Sequence, residues 1–476
     1  MTASRRDRLG APADDRPGAA AHDRAGAPGH DSAGSRGTAV PLRVHAAFTG
    51  CKVSQADSEA VLERLATRGC RAVGDPAEAD VQVVLTCAVT GEAERSSRQL
   101  ARRLAAHGRP VVVAGCAAAL RPEQFAGAGV ALALADAGRA AGVEAVARRV
   151  LEAGGEPWAT FVGAGDPTAA PAGDDRPSPM AARGIAAGGR TRFTLKVQDG
   201  CAGRCSYCAV RLVRGHPWSL AADSAVERAR AAVAAGCGEI VLSGIDVGAY
   251  RDPAGGGLAA LVGRLTRLPG LARLRLSSIE PRHLTAELIE ALADPLVARH
   301  LHVPLQSADD GVLAAMGRPY TWRQYQEIVA GARRRLPGLA LSTDLIVGFP
   351  TEDDTAFARS LSAIGPGAGL FGRVHVFSYS PRAGTQAAAL ASAPAATVKA
   401  RARLAREAAA AARSAAAAAS LNAPARVLLE EYRDGVWRGY SSTYVRYYLK
   451  GAGARGRMVG AVAEALYRDG VKGRLA

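Results

Sequence analysis

The stretch V-Q-D-G-C-A-G-R-C-S-Y-C-A-V-R, from Val197 to Arg211, places Cys201, Cys205 and Cys208 in a C-x3-C-x2-C spacing on one short loop. Cysteine thiolate is the usual ligand of iron–sulfur clusters, so three thiolates this close can hold three irons of a 4Fe–4S cluster. No fourth cysteine is local. One iron would then keep an open position, which a catalytic metal site needs and a closed structural site lacks. A zinc loop would more commonly repeat a C-x2-C pair.

A second set lies upstream. Cys51 stands in F-T-G-C-K-V-S-Q, Cys87 in V-L-T-C-A-V-T and Cys116 in V-V-A-G-C-A. The elements that must position them run from Leu42 to about Val162. Short apolar runs predict strands at Arg43–Thr49, Val81–Leu85 and Pro110–Ala114, with helices at Ser54–Arg68 and Ala88–Ala106 between them. This alternation predicts a parallel, three-layer α/β domain. Ligands of such sheets sit beyond the C-terminal ends of the strands. All three cysteines occupy that place and should meet at one sheet edge; three small buried thiols are the alternative. Cys70 ends a helix and Cys237 precedes a strand, so both read as structural.

From about 191 to 390 strands and helices alternate again. Strands are expected at Phe193–Val197, Glu239–Ser243, Arg273–Ser277, His300–Pro304, Ser342–Val347 and Arg373–Ser378. Helices are expected at Ala221–Ala235, Leu284–Leu292, Asp309–Met316 and Trp322–Arg335. Barrel-type folds place chemistry on the loops after their strands. Those loops carry Gly244 and Asp246, then Ser278 and Glu280, then Gln306 and Ser307, then Asp344, Gly348 and Glu352. Each alone is explained by loop solvation or helix capping. Together, in barrel order, they predict a ligand pocket. His302 lies within a strand and reads as a satisfied core histidine. Arg382, in S-Y-S-P-R-A-G-T, is divided between an anion contact and a solvated turn.

The chain has 476 residues, room for two or three domains, and a net charge of +16. A strongly basic surface favours a polyanion such as RNA. No uninterrupted apolar run reaches membrane-spanning length and the N-terminus lacks a signal-peptide core, so a cytoplasmic protein without a membrane partner is expected. Eight cysteines there favour metal over disulfides. Residues 1–40 read as a disordered tail, 164–190 as a linker and 396–424 as an Ala- and Arg-rich connecting helix. Over 425–476 the pattern changes to short strands at Ala425–Tyr432, Val436–Ser441, Val445–Lys450 and Met458–Ala465. Tyr440, Tyr444, Tyr447 and Tyr448 stand there among basic residues. They can stack on unpaired bases or pack a small barrel.

The cysteine loop, with Tyr207 before its last cysteine, resembles the signature of radical S-adenosylmethionine (SAM) enzymes. The second tri-cysteine set ahead of it is similar to radical SAM methylthiotransferases, a resemblance that covers about residue 42 to the end. It implies an α/β chain with an N-terminal three-layer parallel-sheet domain (41–163), a central radical SAM (β/α)6 partial barrel (191–395) and a small C-terminal all-β TRAM-like barrel (425–476). It implies two 4Fe–4S clusters, one on Cys201, Cys205 and Cys208, and an auxiliary one on Cys51, Cys87 and Cys116. Tyr207, Gly244, Asp246, Ser278, Gln306 and Asp344 would line the SAM pocket. The implied partners are tRNA, modified at adenosine 37 of its anticodon loop, and an electron-donor protein; no sulfur donor is implied. G-C-K-V-S-Q is most similar to the G-C-K-x-N-Q loop of the branch acting on N6-threonylcarbamoyladenosine, with Ser54 in place of Asn. Leu85 likewise stands where members often have Asn. These departures spare the cysteines and fall on residues around them, which tune reactivity. The rival branches act on N6-isopentenyladenosine or on a ribosomal-protein aspartate. A non-catalytic iron–sulfur RNA-binding or redox-sensing protein would need no SAM pocket.

Overall fold

The computed structural model describes residues 41–126, 132–134, 161–163 and 191–476. The expected tail (1–40) and linker (164–190) lie outside the described residues. Near-continuous apolar runs make strands that are buried on both faces. Arg43–Phe48 (β1), Arg71–Ala72 (β2), Val81–Thr86 (β3), Val111–Gly115 (β4), Leu132–Leu134 (β5) and Phe161–Gly163 (β6) form one parallel sheet in the order β2-β1-β3-β4-β5-β6. Helix α1 (Lys52–Ala66) covers one face, packing Val61 and Leu65 on Val44, Val83 and Leu85. Helix α2 (Gly91–Ala105) covers the other through Ala101 and Leu104. The result is the three layers that the alternation predicts. Helix α2 starts at Gly91, not Ala88, because the Thr90 hydroxyl accepts from the Ala93 amide at 3.1 Å and caps it. The short α3 (Cys116–Leu120) follows β4.

Strand Arg192–Lys196 (β7) opens the barrel. A two-residue ladder, Gln198–Asp199 (β8) with Trp218–Ser219 (β9), then ties the two ends of the central cysteine segment, which also contains α4 (Val210–Arg214). Glu239–Ser243 (β10) and Arg273–Leu276 (β11) join β7 in one three-stranded parallel sheet. His300–His302 (β12), Ala340–Val347 (β13) and Arg373–Ser378 (β14) form another. Bridges Leu274–Val297 and Ser278–His302 join the halves into an open six-stranded barrel. Helices α5 (Ala222–Ala234), α6 (Leu258–Leu265), α7 (Ala286–Ala291), α8 (Asp310–Ala315), α9 (Trp322–Arg335) and α10 (Asp354–Ile364) wrap it. One apolar core runs through strands and helices together, from Leu195 and Ile240 to Val329 and Leu345.

Helix α11 (Ala395–Ala418) leads to a closed barrel of Pro424–Arg433 (β15), Val436–Ser441 (β16), Arg446–Lys450 (β17), Met458–Tyr467 (β18) and Gly470–Leu475 (β19). The pattern predicted four strands; the fifth, G-V-K-G-R-L, reads as a loop because strands are depleted in glycine. Its glycines have a steric reason. A Cβ at Gly470 or Gly473 would stand 2.1 Å from the carbonyl oxygen of Arg446 or Val462. Among the described residues no helix is long and apolar enough to cross a membrane.

Candidate active site

The three strand-end cysteines converge. Cys51 caps α1 just after β1, Cys87 follows β3 and Cys116 opens α3 after β4, and these three strands are neighbours. Gly50 has a left-handed φ of 95°, and a Cβ there would stand 2.3 Å from Cys87 Cβ and 2.5 Å from its Sγ. Only glycine lets the first loop close over the second. A thiol–thiol hydrogen bond with Cys87 pulls Cys51 down to about 5 and drives Cys87 upward. Burial raises the Cys116 thiol, and the Arg214 guanidinium opposes it. The Ser54 hydroxyl lies 3.7 Å from Cys51 Sγ.

Cys201, Cys205 and Cys208 are half-buried on the barrel loop. The Gly203 amide donates to Cys201 Sγ at 3.2 Å, and Arg318 Nη1 donates to Cys205 Sγ at 3.4 Å. Burial, and then the charges of Cys205 and Cys201, push Cys208 up to about 12 against a backbone hydrogen bond to Val210. Clustered thiols become thiolates together only with a cation beside them, and coordination supplies it. Both tri-cysteine sets therefore fit an iron–sulfur cluster by donor chemistry.

The residues expected around SAM are reached by the strand ends, but several are already engaged. Gly244 packs against Gln198, whose Oε1 accepts from the Asp246 amide at 2.7 Å. The Asp246 carboxylate pairs with Arg282 at 2.6 Å and His283 at 3.1 Å. Burial alone would raise it; His283 and Arg282 hold it below the usual carboxylate range. Tyr207 is half-buried and packs with Met316 and Phe349. Ser278 bridges to His302 at the join of the two half-barrels. Gln306 holds a left-handed φ of 72°, pinned because its amide donates to Asp344 O and its carbonyl accepts from Ile346. A non-glycine residue held there marks a strained position of the kind found at ligand sites. Asp344 lies 3.1 Å from His302 Nε2 and 3.2 Å from His375 Nδ1, and His302 Nδ1 meets the Ser342 hydroxyl at 2.9 Å, so His302 is satisfied. Glu280 pairs with Arg318, the neighbour of Cys205. Glu352 accepts from the Gly348 amide at 2.6 Å and from Arg401 at 2.9 Å, which ties the loop after β13 to α11.

One expectation is corrected and one open choice is divided. Arg382 neither meets an anion from solution nor sits in a solvated turn. It is buried, with Nη1 2.6 Å from Glu94 on α2, while Ser380 Oγ beside it accepts from the Gly91 amide at 3.2 Å. A buried carboxylate needs such a partner, and this pair clasps the N-terminal sheet to the barrel. The four tyrosines divide between the two readings left open for them: Tyr440 and Tyr444 are half-buried, and Tyr444 lines a large cavity. Tyr447 and Tyr448 are buried. Tyr440 and Tyr444 stack on each other at 4.9 Å, Tyr444 stacks on His300 at 4.8 Å, and the Arg275 guanidinium lies 4.6 Å from its ring. Loop 441–445 closes the N-terminal end of the open barrel: Arg275 donates to Ser441 O at 3.0 Å and Arg273 to Tyr440 O at 3.0 Å. Tyr432, 58% exposed and 5.0 Å from Trp437, and Tyr467, 38% exposed, face outward. Tyr432 borders a cavity of about 810 Å³ whose wall also includes Lys52 and Gln55 of α1, Arg192 and Thr194 of β7, and Arg455.

A group not singled out from the sequence joins the two cysteine sets. Lys196 lies 2.6 Å from both Asp57 and Asp199; Arg214 lies 2.8 Å from Asp57 and 3.0 Å from Asp199, and its Nε donates to Cys116 Sγ at 3.1 Å. The available signal was Asp57, an acidic residue on the buried face of an amphipathic helix.

An open six-stranded parallel barrel with a tri-cysteine loop after its first strand, joined to a sheet that gathers three more cysteines, defines an iron–sulfur enzyme of the radical SAM class. The chain belongs to the radical SAM tRNA methylthiotransferase family, whose cofactors are SAM and 4Fe–4S clusters. The radical SAM superfamily model matches residues 195–364, and that of the uncharacterized protein family UPF0004 matches residues 43–134. A threonylcarbamoyladenosine tRNA methylthiotransferase of Thermotoga maritima is 32% identical, covering 84% of this chain and 89% of its own. The Bacillus subtilis protein of the same description is 34% identical over 71% and 74%. A tRNA-2-methylthio-N(6)-dimethylallyladenosine synthase of Sorangium cellulosum is 35% identical over 71% of each.

Proposed function

We propose that this enzyme converts N6-threonylcarbamoyladenosine at position 37 of tRNA to its 2-methylthio derivative. Cys201, Cys205 and Cys208 would hold the SAM-cleaving cluster, and Cys51, Cys87 and Cys116 the auxiliary one, with Tyr207, Gly244, Asp246, Ser278, Gln306 and Asp344 around SAM. When bound, these groups supply the electron, the hydrogen abstraction and the methylated sulfur. The chain's own residues would fix the two sets relative to one another through Arg214, which reaches Cys116, Asp57 and Asp199. Segments 41–163, 191–395 and 425–476 would act as the auxiliary-cluster, SAM and RNA-gripping parts. A cytoplasmic electron-donor protein would serve the clusters.

Four relatives described as threonylcarbamoyladenosine tRNA methylthiotransferases, two of them as probable, are 32–34% identical and support this branch, beside a dimethylallyladenosine synthase at 35%. The observation that favours threonylcarbamoyladenosine is the charge lining the cavity. Of the wall's two carboxylates, Glu430 matches Arg192 at 2.6 Å and Glu431 pairs with Arg438 at 3.3 Å, but Lys52, next to Cys51, and Arg455 have no ion pair among the described residues. A threonylcarbamoyl group brings a carboxylate to that wall; an isopentenyl group brings none. Lys52→Gln is expected to lower kcat/KM on threonylcarbamoylated tRNA roughly 10- to 100-fold, the worth of a hydrogen bond to a charged group. Equal kcat/KM for Lys52→Gln and the parent would remove Lys52 from substrate recognition.

Mass spectrometry of tRNA nucleosides from cells with and without the gene tests the function. Loss of 2-methylthio-N6-threonylcarbamoyladenosine, with its precursor accumulating, is the expected result; loss of the isopentenyl counterpart would overturn the substrate. Tyr432→Ala is expected to weaken tRNA binding by about 1–3 kcal/mol, the scale of one base–aromatic stack. A filter-binding titration at fixed salt measures it, because phosphate contacts make affinity salt-dependent.

A further inference from the structure

We infer that Arg214 is the positioning residue of the auxiliary cluster, raising its reduction potential and fixing it to the SAM-cleaving loop. The inference rests on the assignment of Cys51, Cys87 and Cys116 to that cluster. Arg214 ends α4, six residues after Cys208, and is 1% exposed. Its guanidinium is used in three directions: Nε to Cys116 Sγ at 3.1 Å, Nη2 to Asp57 at 2.8 Å and Nη1 to Asp199 at 3.0 Å. These partners come from α3, α1 and β8, so one planar group spans both cysteine-bearing parts of the chain. A flexible, point-charged lysine cannot present that fork.

The charges give the bond its direction of effect. Lys196 joins the same two aspartates at 2.6 Å each, so two cations face two carboxylates and the box is balanced before Cys116 is counted. A coordinated Cys116 thiolate, and each electron added to its cluster, brings negative charge toward Arg214. Hydrogen bonds to cluster sulfurs are among the factors that set a cluster's potential, and a donor favours the reduced form. Burial enlarges the effect, because a hydrogen bond is electrostatically stronger in a low dielectric. No bond is made or broken in this step. The cluster takes one electron from a low-potential one-electron donor and can return it.

The experiment uses full-length protein with Cys201, Cys205 and Cys208 all replaced by Ala, so that only the auxiliary set remains. Reduction is followed by electron paramagnetic resonance against dithionite with mediators, with Arg214 intact, as Arg214→Lys and as Arg214→Met. Loss of the donor is expected to lower the reduced-to-oxidised ratio at the parent's midpoint about tenfold in Arg214→Met, which corresponds to about 59 mV for one electron. Arg214→Lys, which keeps the charge but not the Nε bond, is expected to shift in the same direction by less. If both variants hold iron like the parent and titrate at its potential, Arg214 does not tune the cluster and the inference falls. Should Arg214→Met lose iron, Arg214→Lys decides alone. A triple-alanine parent that takes up no cluster would overturn the cysteine assignment and the inference with it.

Discussion

Replacing Cys116 with alanine is expected to stop methylthiolation while leaving SAM cleavage running. Product formation should fall more than about 1,000-fold, and Cys51→Ala, Cys87→Ala and the triple variant should fall alike, because residues that act as a unit fail together. The two sets stand on different frameworks. Cys116 opens α3 at the edge of the N-terminal sheet, whereas Cys201, Cys205 and Cys208 lie on the loop after β7 of the barrel. Cys208→Ala is therefore expected to abolish both activities. Quantifying 5′-deoxyadenosine and the methylthiolated nucleoside in the same reaction separates the cases. Cys116→Ala protein that still makes methylthiolated tRNA would remove the auxiliary set from the chemistry. Loss of both products would mean that the sets work as one centre.

Glu239→Gln is expected to destabilise the chain by about 3–5 kcal/mol, the usual cost of removing one partner from a buried charge pair. Glu239 is fully buried and pairs with Arg273 and, at 2.8 Å, with Arg275. The amide would leave those two guanidiniums without their counter-charge beneath the loop they hold. Calorimetry should show the midpoint falling on the order of 10 °C, given about 2–4 °C per kcal/mol for units of this size. The same group sets an acid limb. Burial alone would raise its pKa, but Arg275 and Arg273 overturn that and bring Glu239 from 4.5 to about 2. A folded-state value below the unfolded one stabilises above the unfolded value, and the contribution is lost as pH falls from about 5 toward 2. The shift corresponds to about 3 kcal/mol. The variant should lose less stability than the parent across that window; parallel acid-unfolding curves would show that Glu239 does not set it.

The cysteine register was readable because each cysteine follows its own strand within a few residues, so local pattern fixes position. The barrel strands were readable for the same reason: V-L-S and L-I-V runs have few alternatives to burial. What escaped were contacts between distant segments. Nothing local distinguishes an Arg382 that meets Glu94 from one that meets phosphate. Tyr444 and Tyr432 line one cavity, yet Tyr444 is half-buried against His300 and Arg275 while Tyr432 is exposed, a difference set by strand register and by the left-handed φ of 68° at Tyr444. Gly470 and Gly473 concealed a strand, because the close backbone approach that demands glycine also erases the strand's apolar signature. Asp57 and Arg214 lie 157 positions apart and become partners only when the sheet packs on the barrel.

Because loop 441–445 is the floor of the catalytic barrel, the C-terminal β-barrel is not an accessory that can be traded as a cassette. A junction placed at the end of α11 would exchange the floor along with the rest of the β-barrel. Chimeras meant to change which RNA is gripped should therefore carry the native 440–445 segment and its arginine partners, and graft only the outer rim around Tyr432. Inheritance follows the same logic: drift in the strands of the β-barrel is tolerable only where it spares the residues that seal the catalytic barrel from below.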